Sequence, residues 1–186
     1  MEKTACLIVD VQQAATAPLP DGGEGVTKRL SRLIVDVQQA ATAPLPDGGE
    51  GVTKRLSRLI GWCRQQMVPL VYVRQAAEEG EVSPIDPRIQ PREGELVLDK
   101  SYNSAFLETE LEDWCGQQGI TQLIVAGMMT ELCVDATIQS AFERGYQVLV
   151  PQGCCATYDN EYLTAEQAEA YYEQKIWQGR YERTIN

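Results

Sequence analysis

The chain of 186 residues contains no histidine, and this absence removes several kinds of chemistry. A nucleophile activated by an imidazole base is excluded, so any base must be a carboxylate or an amine. Metal sites built on imidazole ligands are excluded as well, and no zinc-type spacing of cysteines replaces them. We therefore expect neither a metal ion nor another cofactor.

Positive charge and long apolar runs are also scarce. The chain has 16 Lys and Arg against 27 Asp and Glu, giving a net charge of −11, which disfavours nucleic acid and anionic membranes as partners. The apolar run of residues 5–9 stops at Asp10, too short for the core of a signal peptide. We expect no nucleic-acid partner, no membrane partner and a cytoplasmic location. The length and the 44% hydrophobic content suit one domain over residues 1–186.

Strand-like apolar runs alternate with helical patterns along most of the chain. This alternation predicts an α/β fold, a parallel sheet with helices on both faces. A capping box at 164–167 predicts the start of a final helix, and the loop 75–94 is predicted to be a lid, a subunit contact or a plain connection. The predicted strands are 69–73, a strand from Leu96, 122–126 and 147–150, and the predicted helices are 104–118 and 133–144.

Three reactive side chains lie at predicted strand ends. Cys133 follows the apolar run 123–126 and opens a helical pattern, where a helix N-terminus favours thiolate. Asp10 and Lys100 end two other strand-like runs. Because the carboxyl ends of parallel strands form one crevice, we expect the three to meet. Taken singly, the cysteine also fits core packing, the aspartate a loop cap, and the lysine a surface pair with Asp99.

The motifs around these residues resemble those of the isochorismatase-like cysteine hydrolase family. They are Asp-Val-Gln at the end of the first strand, Lys100 with a downstream Ser-Ala-Phe, and Gly-x-x-Thr-Glu-x-Cys-Val around Cys133. The resemblance covers nearly the whole chain and implies a Rossmann-like parallel sheet. It also implies a small-molecule substrate and a homo-oligomer. The histidine-containing metal site of the nicotinamidase branch cannot form here.

The resemblance also implies roles for individual residues. The triad is an aspartate, Lys100 and Cys133, with an oxyanion hole from the backbone N–H groups of Met129 and Cys133 and a cis peptide between Met128 and Met129. The residues expected to line the pocket are Gln12, Tyr102, Asn103, Phe106 and Met129.

This constellation predicts a metal-independent hydrolase that cleaves a C–N bond of a small amide, carbamoyl or ureido compound through a covalent intermediate on Cys133. One alternative is a catalytically silent binding or scaffold protein whose pocket is disturbed by the chain's internal repeat. A second is an isochorismatase-type vinyl-ether hydrolase, although that branch does not use the nucleophilic cysteine.

Six cysteines raise the question of a disulfide framework, but most lie in apolar runs without paired short spacings. Reduced core thiols are therefore expected. The vicinal pair Cys154 and Cys155 follows a predicted strand and fits strand-end packing better than a redox pair. The others are Cys6, Cys63, Cys115 and Cys133.

An internal repeat makes the aspartate ambiguous, because residues 7–32 recur letter for letter as 33–58. Two identical copies inside an α/β domain indicate a tandem duplication of one strand-loop-helix element, not a solenoid. The candidate base is therefore Asp10 or its counterpart Asp36. We favour Asp10, because Cys6 suits a buried central strand better than Arg32 does, and the strand segment of the second copy also fits a helical pattern.

Overall fold

The computed structural model of the protein describes residues 31–38, 42–45, 47–76, 82 and 84–181. Within them the chain forms six strands, which pair in parallel throughout. The strands are β1 Ser31–Asp36, β2 Leu70–Gln75, β3 Leu96–Lys100, β4 Gln122–Met128, β5 Gln147–Leu149 and β6 Cys155–Ala156. The predictions for Cys6, Asp10 and Gln12 lie outside the described residues.

The strand order is β3-β2-β1-β4-β5, and β6 pairs with the carboxyl end of β4. This order places β1 and β4 at the centre, and every residue of β4 is buried. A parallel strand covered on both faces carries a continuous apolar run instead of an alternating one, which explains the composition of β4. The parallel sheet confirms the predicted fold class.

Helices cover both faces of the sheet. They are α1 Glu50–Gln65, α2 Leu111–Gln117, α3 Asp135–Glu143 and α4 Ala165–Tyr171, joined by a 3₁₀ turn at Pro87–Ile89 and wide helical turns at Thr130–Val134 and Tyr172–Trp177. Two apolar clusters result, one containing the buried side of α1 and the other containing side chains of α2 and α3. Ile34 and Val35 fall in opposite clusters because successive side chains of a strand point to opposite faces.

The central strand β1 takes its residues Leu33–Asp36 from the second copy of the repeat, whereas we predicted the first copy in this place. The helical interpretation of this segment is also wrong, since Ser31–Asp36 is a strand in register with both β2 and β4. Two features favour the second copy. The helix that follows it runs on to Arg64, whose guanidinium binds Glu95, and only residues 66–69 separate this helix from β2.

The predicted helix 104–118 is shorter than expected, because regular helix begins only at Leu111. Side-chain hydrogen bonds hold the preceding segment in another conformation: the Ala105 N–H donates to Thr137 Oγ1 at 3.0 Å, and Thr109 Oγ1 donates to the Ala105 carbonyl at 2.6 Å. Such bonds compete with helix formation. The predicted capping box is confirmed, with Thr164 and Gln167 exchanging side-chain and backbone bonds.

Candidate active site

The carboxyl ends of four neighbouring strands define one edge of the sheet. The register of β1 and β4 sets Asp36 beside Gly127, and that of β2 and β3 sets Gln75 beside Lys100. The turn that carries Cys133 leaves the end of β4. The three reactive positions, with the aspartate supplied by the second copy, therefore share this edge.

Lys100 is a buried cation, with 1% of its surface exposed. Its Nζ donates to Gln75 Oε1 at 2.7 Å, to the Tyr102 carbonyl at 3.1 Å and to Cys133 Sγ at 3.2 Å. Burying an ammonium is costly unless acceptors surround it, so these contacts fix the direction of the side chain. The predicted contact between Lys100 and Cys133 is thus present.

The alternative of a surface pair between Lys100 and Asp99 does not fit this geometry. Asp99 points away from Lys100 and accepts two bonds from the Arg74 guanidinium, at 2.7 and 2.9 Å. Adjacent residues of a strand face opposite sides, so Arg74 and Asp99 form the exposed ion pair while Lys100 faces the site.

Cys133 lies in the wide turn Thr130–Val134, between the end of β4 and the start of α3. The peptide between Met128 and Met129 is cis, as predicted. The Val134 N–H donates to the Met129 carbonyl at 3.2 Å, a bond across five residues that makes the turn wider than an α-helical one. Cys133 keeps part of its surface exposed, and its Sγ lies 3.9 Å from Asn103 Oδ1.

The start of the turn Thr130–Val134 is bound to β6. The Thr157 hydroxyl, 1% exposed, donates to Glu131 Oε1 at 2.8 Å. Ala156, the neighbour of Thr157, pairs with Met128 at the end of β4. The turn is therefore held at its first residues by the strand pairing and by this bond.

The other thiols of the described residues have a different environment. Cys63, Cys115, Cys154 and Cys155 are buried and are not joined in disulfides. Burial raises the pKa of both Cys63 and Cys154 to about 12, and it also raises the pKa of Cys155 well above its ordinary value. A thiol with so high a pKa carries almost no thiolate near neutral pH. The four residues match the predicted reduced core thiols.

The residues predicted to line the pocket fall into different places. Tyr102 and Asn103 lie next to Lys100 and Cys133, the first through its carbonyl and the second through its side-chain oxygen. Phe106 is 4% exposed, stacks on Tyr146 with ring centroids 5.7 Å apart and belongs to the core cluster, so the structure gives it a packing role.

Gln12 lies outside the described residues, but its counterpart in the second copy is Gln38. Gln38 follows β1, is 9% exposed and forms a bridge with Ile85. Its Nε2 is buried and has no hydrogen-bond partner among the residues that the structure describes. A buried amide donor without a partner is unfavourable, so this group is placed to bind a water molecule or a ligand.

Sequence reasoning missed Gln75, the polar neighbour of the lysine. The signal was present in the sequence, because Gln75 ends the run Leu-Val-Tyr-Val-Arg-Gln just as Lys100 ends the next strand. Its significance depends on β2 and β3 being neighbours in this register, which the run alone does not reveal.

Within the described residues, no group of three or more Cys, Asp or Glu side chains is arranged to hold a metal ion. No helix among these residues is long and apolar enough to cross a membrane.

Comparison with known proteins identifies the family. A sequence profile described as the Isochorismatase domain matches residues 4–174, which is most of the chain. The chain belongs to the isochorismatase family. A crystal structure of an isochorismatase family protein superimposes with a TM-score of 0.76 at 27% identity, covering 87% of this chain and 100% of the other.

The chain is also similar, over shorter segments, to two curated enzymes. Streptothricin hydrolase of Streptomyces noursei is 38% identical over 71 residues, covering 38% of this chain and 28% of the hydrolase. N-carbamoylsarcosine amidase of an Arthrobacter species is 38% identical over 68 residues, covering 37% of this chain and 26% of the amidase. The matched segments span less than a third of either relative.

Proposed function

We propose that the protein is a metal-independent cysteine hydrolase that cleaves a C–N bond of a small amide, carbamoyl or ureido compound. The observation that carries this proposal is the 3.2 Å contact between the buried Lys100 Nζ and Cys133 Sγ. An ammonium at this distance favours thiolate over thiol, which is the reactive form of cysteine. The names of the two relatives, a hydrolase and an amidase, agree with this class of reaction.

In the first half of the proposed reaction, the Asp36 carboxylate takes the proton of the Cys133 thiol. The sulfur then bonds to the carbonyl carbon of the substrate, and the π electrons of the carbonyl move to its oxygen. The backbone N–H groups of Met129 and Cys133 are proposed to stabilise this oxyanion, where one donor is worth about 3 kcal/mol. Collapse breaks the C–N bond, and the aspartic acid returns its proton to the leaving nitrogen.

The second half releases the acyl or carbamoyl group from sulfur. Asp36 takes a proton from water, the water oxygen bonds to the same carbon, and the C–S bond breaks. The thiolate regains the proton, so the enzyme returns to its starting state. Lys100 remains charged throughout, and it stabilises the thiolate whenever the thiolate forms. The unpaired Nε2 of Gln38 is proposed as a donor to the substrate.

The test is turnover of a panel of small amides, N-carbamoyl compounds and ureido compounds, with acid quenching and mass spectrometry to detect an adduct on Cys133. We expect an adduct, turnover in excess chelator, and a loss of at least about 10³-fold in kcat for Cys133→Ala. Lys100→Met should cause a large loss too. Cys115→Ala, which changes a buried core thiol, is the matched control and should retain activity.

Iodoacetamide labelling gives an independent measure of which cysteine is the nucleophile. Cys133 should label fastest near neutral pH, since the burial of Cys63, Cys154 and Cys155 raises their pKa values. Faster labelling of a core thiol, or full activity of Cys133→Ala, would show that the nucleophile is misassigned. A panel that gives neither adduct nor turnover would favour a silent binding protein.

A further inference from the structure

The identity between the two copies extends beyond the strand and loop into the helix. Residues 7–34 are identical to residues 33–60, because each copy is followed by Leu-Ile: residues 33–34 follow the first copy and residues 59–60 follow the second. In the structure, residues 33–60 supply most of β1 and the first eleven positions of α1. Every side chain of this stretch therefore has an identical counterpart 26 residues nearer the N-terminus.

The buried face of α1 can be rebuilt from the first copy and the residues that follow it. The helix buries Val52, Thr53, Leu56, Leu59, Ile60 and Cys63. Their counterparts are Val26, Thr27, Leu30, Leu33, Ile34 and Val37. Five of the six are identical, and the sixth replaces a buried cysteine by valine, a small apolar residue that fits a core position.

The bonds that anchor the loop before α1 are likewise repeated. Asp47 accepts from the N–H groups of Gly49 and Gly51, both at 2.8 Å, and the Thr42 hydroxyl donates to Asp86 at 2.7 Å. Arg55 Nε donates to the Gly153 carbonyl. The first copy holds the same donors and acceptors at Asp21, Gly23, Gly25, Thr16 and Arg29. The partners outside the repeat, Asp86 and Gly153, are available to either copy.

Different features favour each copy. The second copy alone continues into Arg64, whose guanidinium bonds to Glu95, Tyr72 and Gln90. The second copy also needs only residues 66–69 to reach β2, whereas the first would need residues 40–69, although closure entropy grows slowly with loop length. The first copy leads its strand with Ala-Cys instead of Ser-Arg, which suits a central strand better.

We propose that the two copies exchange in the sheet, so that the first copy forms the strand and helix in a second folded arrangement and Asp10 takes the place of Asp36. In that exchanged arrangement, residues 24–39 form the helix and residues 40–69 connect it to β2. If the proposed hydrolase function is correct, the protein carries two interchangeable catalytic aspartates. The exchange itself does not depend on that function.

Cys63 reports on the exchange without any assay of activity. With the second copy in the sheet it is fully buried in α1, and burial raises its pKa to about 12. In the exchanged arrangement Val37 takes its place, and Cys63 lies in the long connection. Its alkylation under native conditions should then rise by on the order of 100-fold or more, because an exposed thiol has a pKa near 8.5.

A matched pair of proline variants tests the proposal in the full chain. Leu56→Pro breaks α1 when the second copy is in the sheet, but residue 56 lies in the connection to β2 when the first copy is in the sheet. Leu30→Pro breaks the helix of the exchanged arrangement, but residue 30 precedes β1 when the second copy is in the sheet. We expect both proteins to fold, by circular dichroism and a cooperative thermal transition. Cys63 should label rapidly in Leu56→Pro and slowly in Leu30→Pro. A Leu56→Pro protein that is unfolded, or that folds with Cys63 protected, would overturn the exchange.

Measuring the turnover of the same proline variants provides a second readout. Asp10→Asn in the Leu56→Pro protein should abolish turnover, as should Asp36→Asn in the Leu30→Pro protein. If folding and Cys63 labelling behave as expected while neither proline variant turns over any compound, the exchange stands and the proposed hydrolase function fails. If Leu56→Pro unfolds while Leu30→Pro is active, the function stands and the exchange fails.

Discussion

At the scale of single residues, the buried side chain of Lys100 is held by several hydrogen bonds. It donates to an amide oxygen, a backbone carbonyl and a thiol sulfur. Two of these acceptors are neutral, and the third is the Cys133 sulfur at 3.2 Å. A neutral acceptor such as Gln75 satisfies the donor without neutralising it.

Gln75→Leu tests this role. The substitution removes one hydrogen bond of the buried ammonium, which we expect to lower the free energy of unfolding by about 1 to 3 kcal/mol and, by loosening the position of Lys100, to slow alkylation of Cys133. Urea denaturation and labelling kinetics measure the two effects. Arg74→Leu, at the preceding residue, removes only an exposed ion pair and is the matched control, with an expected loss below about 1 kcal/mol. Equal effects of the two substitutions would argue against a special role for Gln75.

At the scale of elements, the 3₁₀ turn Pro87–Ile89 fixes part of the loop 75–94, for which the sequence allowed a lid, a subunit contact or a plain connection. Asp86 caps the turn through the Arg88 N–H at 2.9 Å and accepts from the Thr42 hydroxyl. Ile85 and Ile89 are buried in the cluster under α1. This part of the loop is packed into the core through these contacts.

The charge on Asp86 gives this turn a pH dependence. Hydrogen bonds from Arg88, and then from Thr42, lower the pKa of the Asp86 carboxyl to about 2. A depressed pKa stabilises the folded state above the ordinary value near 3.9, by about 2 kcal/mol, and this contribution is lost as the pH falls from about 4 towards 2. We expect Asp86→Asn to destabilise the protein near neutral pH and to flatten the stability curve over that window.

Denaturation at several pH values measures the effect, with Asp99→Asn as control. Asp99 also pairs with an arginine, but the pair is exposed, so its removal should change stability little at any pH. If Asp86→Asn loses as much stability on acidification as the unmodified protein does, other carboxylates cause that loss.

At the scale of the whole molecule, the repeat predicts the outcome of a deletion. Removing residues 33–58 gives the same 160-residue chain as removing residues 7–32, because the two copies are identical. This chain contains one strand-loop-helix element, led by Thr-Ala-Cys and followed directly by the helical segment that contains Arg64. It combines the better strand start with the short connection to β2.

We therefore expect the 160-residue protein to fold and to be more stable than the full chain. It should unfold in one cooperative transition, keep Cys63 protected from alkylation, and use Asp10 with Lys100 and Cys133 if the proposed function holds. Calorimetry and labelling of both proteins measure this difference. A deletion protein that fails to fold would mean that the fold needs residues from both copies.

The oligomeric state and the cytoplasmic location remain predictions from the sequence. Light scattering of the purified protein measures the first, and fractionation of the source cells measures the second.

The sequence alone determined the features that depend on neighbours along the chain. The alternation of strands and helices, the capping box at Thr164, the turn that carries Cys133 and the lysine at the end of β3 all follow from local pattern, and the structure bears them out. Strand-end polarity and helix-start chemistry act over a few residues, so features of this kind can be predicted from local sequence.

Only the tertiary structure decided which copy of the repeat forms β1 in the described arrangement, which glutamine bonds to Lys100 and whether Phe106 faces a pocket or the core. The copies have the same local propensities, so contacts outside them must discriminate, such as those of Arg64 with Glu95 and Tyr72. The partners in each case are far apart in the chain. A strand order and a register bring them together, and neither can be deduced from one segment of sequence.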